Sequence, residues 1–153
     1  MVRLTDLTPS RRKSLESLDC PSFKDKPFAP PAEPLSRRVA IISTAGLIRR
    51  GDRPFMRGES GYRSFSSTVD NADVVISHIS VNFDRIAALK NIEAIFPRDT
   101  LKEMVNEGEI GSVAEEHYSF MGATDPTSME DEAKALVGKL REQGVNTAVL
   151  LPV

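Results

Sequence analysis

Residues 128–151, SMEDEAKALVGKLREQGVNTAVLL, decide the fold class of this chain. Ala133, Leu136, Val137 and Leu140 recur at i, i+3, i+4 and i+7, the spacing that lines one face of an α-helix. Ser128 is placed to cap that helix, and Glu130, Asp131 and Glu132 bring negative charge to the positive end of its dipole. Gly144 stands where a terminating left-handed residue is needed. Thr147-Ala148-Val149-Leu150-Leu151 then shows no polar alternation and reads as a fully buried strand. A helix that delivers the chain into such a strand is the building unit of an α/β fold with a parallel sheet.

The alternation extends back along the chain. Val39-Ala40-Ile41-Ile42 is an apolar run entering the small-residue turn Ser43-Thr44-Ala45-Gly46, and predicts a buried strand. Val74-Val75-Ile76 predicts a second, Ile92 to Phe96 a third, and Tyr62 to Ser67 an edge strand. Asp84 predicts the cap of a short helix containing Ile86 and Leu89. Pro97 opens another helix, with Thr100 and Glu103 at capping-box spacing, Leu101, Met104 and Val105 on one face, and Gly108 at its end. The expected architecture over residues 37–153 is a three-layer α/β domain, a mainly parallel sheet with helices on both faces. Residues 1–36 hold six of the ten prolines. Proline fixes φ and removes a donor, so this stretch reads as an extended N-terminal arm wrapping the domain or a partner, with one short helical piece at Leu15 and Leu18.

A chain of 153 residues is one domain's worth. Its net charge of -2 provides no basic field for a phosphate backbone, so no nucleic-acid partner is expected. Arg11, Arg12 and Lys13 form a short basic cluster that reads as a solvated face. The single cysteine, Cys20, has no disulfide partner or metal-ligand spacing and reads as a free, non-catalytic thiol. No apolar run approaches a membrane span, and Met1 to Ser10 lacks the pattern of a signal peptide. A cytoplasmic location without a membrane partner is therefore expected. Ala45-Gly46 lacks the glycine spacing of a dinucleotide fold; the chain has neither a phosphate-binding Gly-Lys-Ser/Thr loop nor a nucleophile elbow. The two histidines lie far apart in sequence, so no metal is expected.

Ligands of open α/β sheets bind beyond the carboxyl ends of the strands. That rule selects the loops after Ile42 and Ile76, the Phe96–Pro97 corner, and the position after Leu151. Ser77 to Arg85 is the most polar of these. There His78 is the candidate proton carrier, and Asn82, Asp84 and Arg85 are candidate substrate contacts, Arg85 as a clamp for a carboxylate. A purely local reading stands beside it: His78 bonded to a backbone carbonyl, Asn82 closing an Asx turn, Asp84 capping a helix. Asp52 and Arg53, in the Gly51–Phe55 loop, and His117, beside Tyr118 and Ser119, are further candidates. Turn chemistry accounts equally well for the first two, and edge-strand or core packing is the stronger reading around His117.

Three blocks taken together are more distinctive than any one. The first joins Val39-Ala40-Ile41-Ile42-Ser43-Thr44-Ala45-Gly46-Leu47 to Arg50-Gly51-Asp52-Arg53-Pro54-Phe55. The second is Ser77-His78-Ile79-Ser80-Val81-Asn82-Phe83-Asp84-Arg85, and the third Gly108-Glu109-Ile110-Gly111-Ser112-Val113 with His117-Tyr118-Ser119-Phe120-Met121-Gly122. The chain resembles the selenoprotein B subunits of the glycine, sarcosine, betaine and D-proline reductases, particularly their short members, from its Val-Arg-Leu start to Val153. The resemblance implies reductive cleavage of a C–N bond in a small amine or amino acid. It implies attack by a selenolate, other reductase subunits as partners, and a pyruvoyl group on a companion subunit that activates the substrate.

In that family the strand ending in Pro-Val is followed by selenocysteine or cysteine, with another cysteine a few residues later. Nothing follows Pro152-Val153 here. No catalytic residue is therefore expected within the chain, and a UGA codon encoding selenocysteine is expected immediately downstream. The family pattern also places a histidine near Ile48, which this chain lacks. The alternatives are a non-catalytic subunit that binds a partner and an α/β domain that binds a small ligand.

Overall fold

Four consecutive apolar residues can all be buried only if helices cover both faces of their strand, and β1 (Arg38–Ser43) meets that condition. In the computed structural model, which describes residues 3–18, 22 and 29–153, Val39 and Ile41 enter one core while Ala40 and Ile42 pack into another. β7 (Thr147–Leu151) runs parallel along one side of β1, from Val39↔Thr147 to Ser43↔Leu151. On the other side lie β5 (Ser112–Val113) and then β6 (Glu116–Phe120), both parallel to β1. β3 (Tyr62–Ser66) pairs antiparallel with β6 and forms the far edge, as its ambiguous sequence suggested.

Helices cover both faces. α3 (Arg98–Asn106) sets Leu101 into the core of Val39, Ile41, Phe65, Phe96 and Ile110. α4 (Glu130–Glu142) sets Leu136 and Leu140 against Ala40, Tyr118 and Phe120. Burying each such side chain contributes about 1.5–3 kcal/mol. Asp84 caps α2 (Arg85–Lys90) by accepting the Ala87 N–H at 3.0 Å, as its sequence position predicts. Gly108 and Gly144 follow α3 and α4 at positive φ.

Five local expectations are corrected. Ile92 to Phe96 is no strand: Asn91 accepts the Glu93 N–H at 3.1 Å and starts a 3-10 turn, Ile92–Ala94, that delivers Ile95 and Phe96 to the core. An apolar run fits a core from a turn as well as from a strand, and the local cap decides between them. Thr100 lies inside α3, and Glu93 accepts the Asp99 and Thr100 N–H groups from the preceding turn. Asp125, not Ser128, caps the entry to α4, through a 3-10 turn over Pro126–Met129. β4 (Val74–Ile76) is half-buried and pairs antiparallel with β2 (Leu47–Arg49) in a separate ribbon. β7 is not fully buried either. It pairs with β1 alone among the described residues, and α4 leaves Ala148 exposed and Leu150 62% exposed.

The N-terminal segment departs from an extended arm. Its described part holds a 3-10 turn, Leu4–Asp6, and the helix α1 (Pro9–Glu16), in which no residue is buried. Pro9 sits at the first helical position, where its fixed φ and missing N–H cost nothing. The helical piece at Leu15 is thus present, while Cys20, Pro21 and Pro27 lie outside the described residues.

Candidate functional site

β1, β6 and β7 run parallel, so their carboxyl ends meet at one edge of the sheet. Thr44 ties them together. Its N–H donates to the Leu151 carbonyl at 3.0 Å, its carbonyl accepts the Gly122 N–H at 2.9 Å, and its Oγ1 accepts the Val153 N–H at 2.8 Å. Gly46 then turns the chain at φ +62°, and its carbonyl accepts the Ser77 N–H at 2.9 Å. A Cβ at Gly46 would stand 2.8 Å from the Met121 Cε and 3.0 Å from the His78 Cα. This close approach brings the loop after β4 onto the rim, although β4 itself belongs to the ribbon.

Within that loop His78 is 5% exposed and stacks on Phe83 at 4.6 Å. Its Nδ1 accepts the Ser80 N–H at 3.2 Å, and the Arg85 guanidinium donates to its backbone carbonyl. Burial, and then the charge of Arg85, hold the His78 pKa below the ordinary imidazole value. The ring is therefore neutral at neutral pH with its proton on Nε2, which has no partner among the described residues. Its free group is a donor, not a base. Asn82 donates its N–H to the Ser80 Oγ at 3.1 Å and accepts Arg11 from α1 at 2.5 Å. Val153 shares a depression with Asn82, Phe83 and Asp84. Of the local bonds considered for this loop only the Asp84 cap is made: the His78 ring takes a backbone N–H in place of a carbonyl, and the Asn82 side chain takes Arg11 in place of closing an Asx turn.

The other candidates are already engaged. Asp52 accepts the N–H and Nε–H of Arg49, both at 3.3 Å, and Arg53 pairs with Glu59 at 3.0 Å. Both belong to the loop between β2 and β3, where turn and ion-pair chemistry occupy them. His117 is 0% exposed and its Nδ1 accepts the Ile41 N–H at 3.2 Å, so it faces the core and no ligand reaches it. The Phe96–Pro97 corner drops out because no strand ends there. Among the described residues, no three His, Cys, Asp or Glu side chains come together as a metal would require, and no helix is long and apolar enough to cross a membrane.

The glycine/sarcosine/betaine reductase selenoprotein B family model matches residues 12–152. The chain belongs to that family. Among its relatives, the glycine reductase complex component B subunit gamma of Carboxydothermus hydrogenoformans is 26% identical over 141 residues, covering 87% of this chain and 32% of the relative. The D-proline reductase subunit gamma of Acetoanaerobium sticklandii is 26% identical over 115 residues, covering 73% of this chain and 47% of the relative. A glycine reductase component B gamma subunit from Peptoclostridium litorale is 25% identical over 118 residues, 74% of this chain and 27% of the relative. This selenoprotein B family member thus spans about a third to a half of the first two relatives. No solved structure matches it significantly.

Sequence reasoning missed two residues that build the rim of this family member. Thr44 gave no signal, because a threonine after a strand has many uses. Glu59 carried a usable one, standing four residues before Arg63 and six after Arg53. Its side chain is 16% exposed, pairs with Arg63 at 2.8 Å and with Arg53 at 3.0 Å, and accepts the Met56 N–H at 2.9 Å. Burial pushes the Glu59 pKa up, but the Met56 N–H, Arg63 and Arg53 outweigh it and leave the carboxyl below its ordinary value. A depressed carboxylate stabilises the fold above its unfolded pKa, and that stability is lost as pH falls through the folded value. Glu59→Gln is expected to cost about 1–2 kcal/mol at neutral pH. Urea unfolding checks this, and the cost should shrink below about pH 4.

Proposed function

We propose that this chain is the α/β frame of a reductase-complex subunit that cleaves a C–N bond in a small amine or amino acid of the glycine, sarcosine, betaine or D-proline kind. The observation that carries the reading is the rim itself. Thr44 gathers the ends of β6 and β7, and the loop bearing His78 and Arg85 closes beside Val153. In this proposal the reacting selenium or sulfur stands on polypeptide continuing from β7, and as an anion it supplies the nucleophile. The surroundings suit an anion: the guanidiniums of Arg11 and Arg85 reach the loop, while Asp84, the carboxylate in its depression, is occupied in capping α2.

Each chain residue then has a defined part. Arg85 spends one Nη on the His78 carbonyl and keeps N–H groups for a substrate carboxylate. His78, tied to the Ser80 N–H and to Arg85 through its carbonyl, steadies the loop that presents Arg85, a holding role in place of the proton transfer expected from sequence. The other subunits of the complex are the proposed partners, and the pyruvoyl group belongs to one of them.

The 153-residue chain alone is expected to show no turnover. Release of ammonia or amine from glycine, sarcosine and betaine, and ring opening of D-proline to a linear primary amine, with a dithiol as reductant, measure it. Activity of the isolated chain refutes the assignment. So does inactivity of a folded complex in which the chain is extended through a following selenocysteine or cysteine. A second reading, a non-catalytic subunit that binds a partner, draws on the exposed apolar side chains of Ile86, Leu89 and Leu150. Stable assembly without turnover by the extended chain supports it.

A further inference from the structure

We infer that the Thr44 hydroxyl is a positioning group: it fixes the path of the polypeptide leaving β7, and Gly122 makes the room it needs. The strand itself sets up the requirement. β7 pairs with β1 as far as Ser43↔Leu151, and Pro152 has no N–H with which to carry the ladder further. Val153 is the next residue able to donate, and its N–H goes to a side chain, the Thr44 Oγ1 at 2.8 Å. A residue bonded to Val153 has its Cα only about 3.8 Å beyond, so this one bond governs where that residue stands.

The backbone and the side chain of Thr44 do different things. Its N–H and carbonyl hold Leu151 and Gly122 by bonds that need no particular side chain. The hydroxyl is not required for either. Its own donor contact, to the Leu151 carbonyl, is 3.5 Å long, a length at which a hydrogen bond is weak. Accepting the Val153 N–H is therefore the main use of this oxygen. Val153 in turn lines the depression shared with Asn82, Phe83 and Asp84, in the loop that leads into Arg85. The hydroxyl thus sets the strand exit against the loop that presents the guanidinium.

Gly122 points independently to the same contact. It is not among the glycines of positive φ, so its backbone conformation does not call for glycine. A Cβ there would stand 2.7 Å from the Thr44 carbonyl oxygen and 3.0 Å from both its Cβ and its Oγ1. Close approach is what glycine supplies at this position. Any larger residue pushes the hydroxyl off its line to Val153.

The inference rests on the reductase reading for what stands beyond Val153, whereas the anchor itself does not. In the 153-residue chain, amide exchange at Val153, followed by NMR, should quicken about tenfold in Thr44→Val, the equivalent of one hydrogen bond. Thr44→Ser should stay near the wild type. In a complex whose chain is extended through a following selenocysteine or cysteine, Thr44→Val and Gly122→Ala should each lower kcat at least about tenfold with KM unchanged. Thr44→Ser should restore kcat. A merely structural role would reduce the yield of folded complex and leave kcat per folded complex as it was, which overturns the inference. Equal Val153 exchange in Thr44→Val and the wild type overturns it too. An inactive wild-type complex, with Val153 exchange responding as expected, removes the reductase reading and leaves the anchor standing.

Discussion

Acidification from pH 7 to pH 4 is expected to remove about 3 kcal/mol of folding stability through one imidazole, His117. The cause is a mismatch of register in the sheet. Val39 pairs with Val113 and Ile42 with Tyr118, so three residues of advance on β1 are met by five on its neighbour. The Ile41 N–H loses its ladder carbonyl there, and the His117 Nδ1 takes its place at 3.2 Å. That bond requires an unprotonated Nδ1. Burial, then the charges of Arg98 and Lys102, push the His117 pKa down from 6.5 to about 4. Between those two values the unfolded chain holds the extra proton, so stability is complete above about pH 6.5 and falls as pH drops towards 4. His117→Asn keeps an acceptor near the same place and removes the titration. It should lower stability at pH 7 while flattening the slope between pH 6.5 and 4, measured by urea unfolding across that window. A variant that keeps the wild-type slope would show that other groups set the acid response.

Replacing Arg98 with alanine should cost about 3–5 kcal/mol, as loss of a buried charged group with its bonds does. Arg98 is 1% exposed, a rare setting for a cation. Its Nη1 donates to the Val69 carbonyl at 2.5 Å, its Nη2 to the Asn71 side chain, and its guanidinium lies 5.6 Å from the Phe96 ring centre. These bonds fasten the connection between β3 and β4 onto the start of α3. Alanine would strand both acceptors and leave a void, while lysine would lack the fork that serves two of them. Equilibrium unfolding of Arg98→Ala and Arg98→Lys measures both, and a loss below about 1 kcal/mol for alanine would mean that the acceptors find water. Arg98→Met should also ease the depression of the His117 pKa, so its acid slope should be shallower than that of the wild type.

The two histidines show where reading the sequence stopped. Both stand in polar stretches beside apolar runs, and nothing local separates them. His78 follows a strand whose end is drawn to the rim by Gly46, whereas His117 sits inside β6 opposite a backbone N–H that a register change had left open. Each placement depends on residues more than thirty positions away. The same limit explains Ile92 to Phe96, whose composition satisfies a core from either a turn or a strand.

The sequence by itself determined the α/β class, the parallel run of β1 and β7, the helices ending at Gly108 and Gly144, and the cap at Asp84. These follow from periodicity and from interactions within a few residues, which the order of amino acids states directly. Only the tertiary structure decided that β7 lies at an edge, that β2 and β4 form a ribbon of their own, and that Thr44, Glu59, His117 and Arg98 hold the rim and the core together. Those outcomes depend on which backbone groups and charges are left unsatisfied when distant segments meet, and sequence spacing does not encode that count.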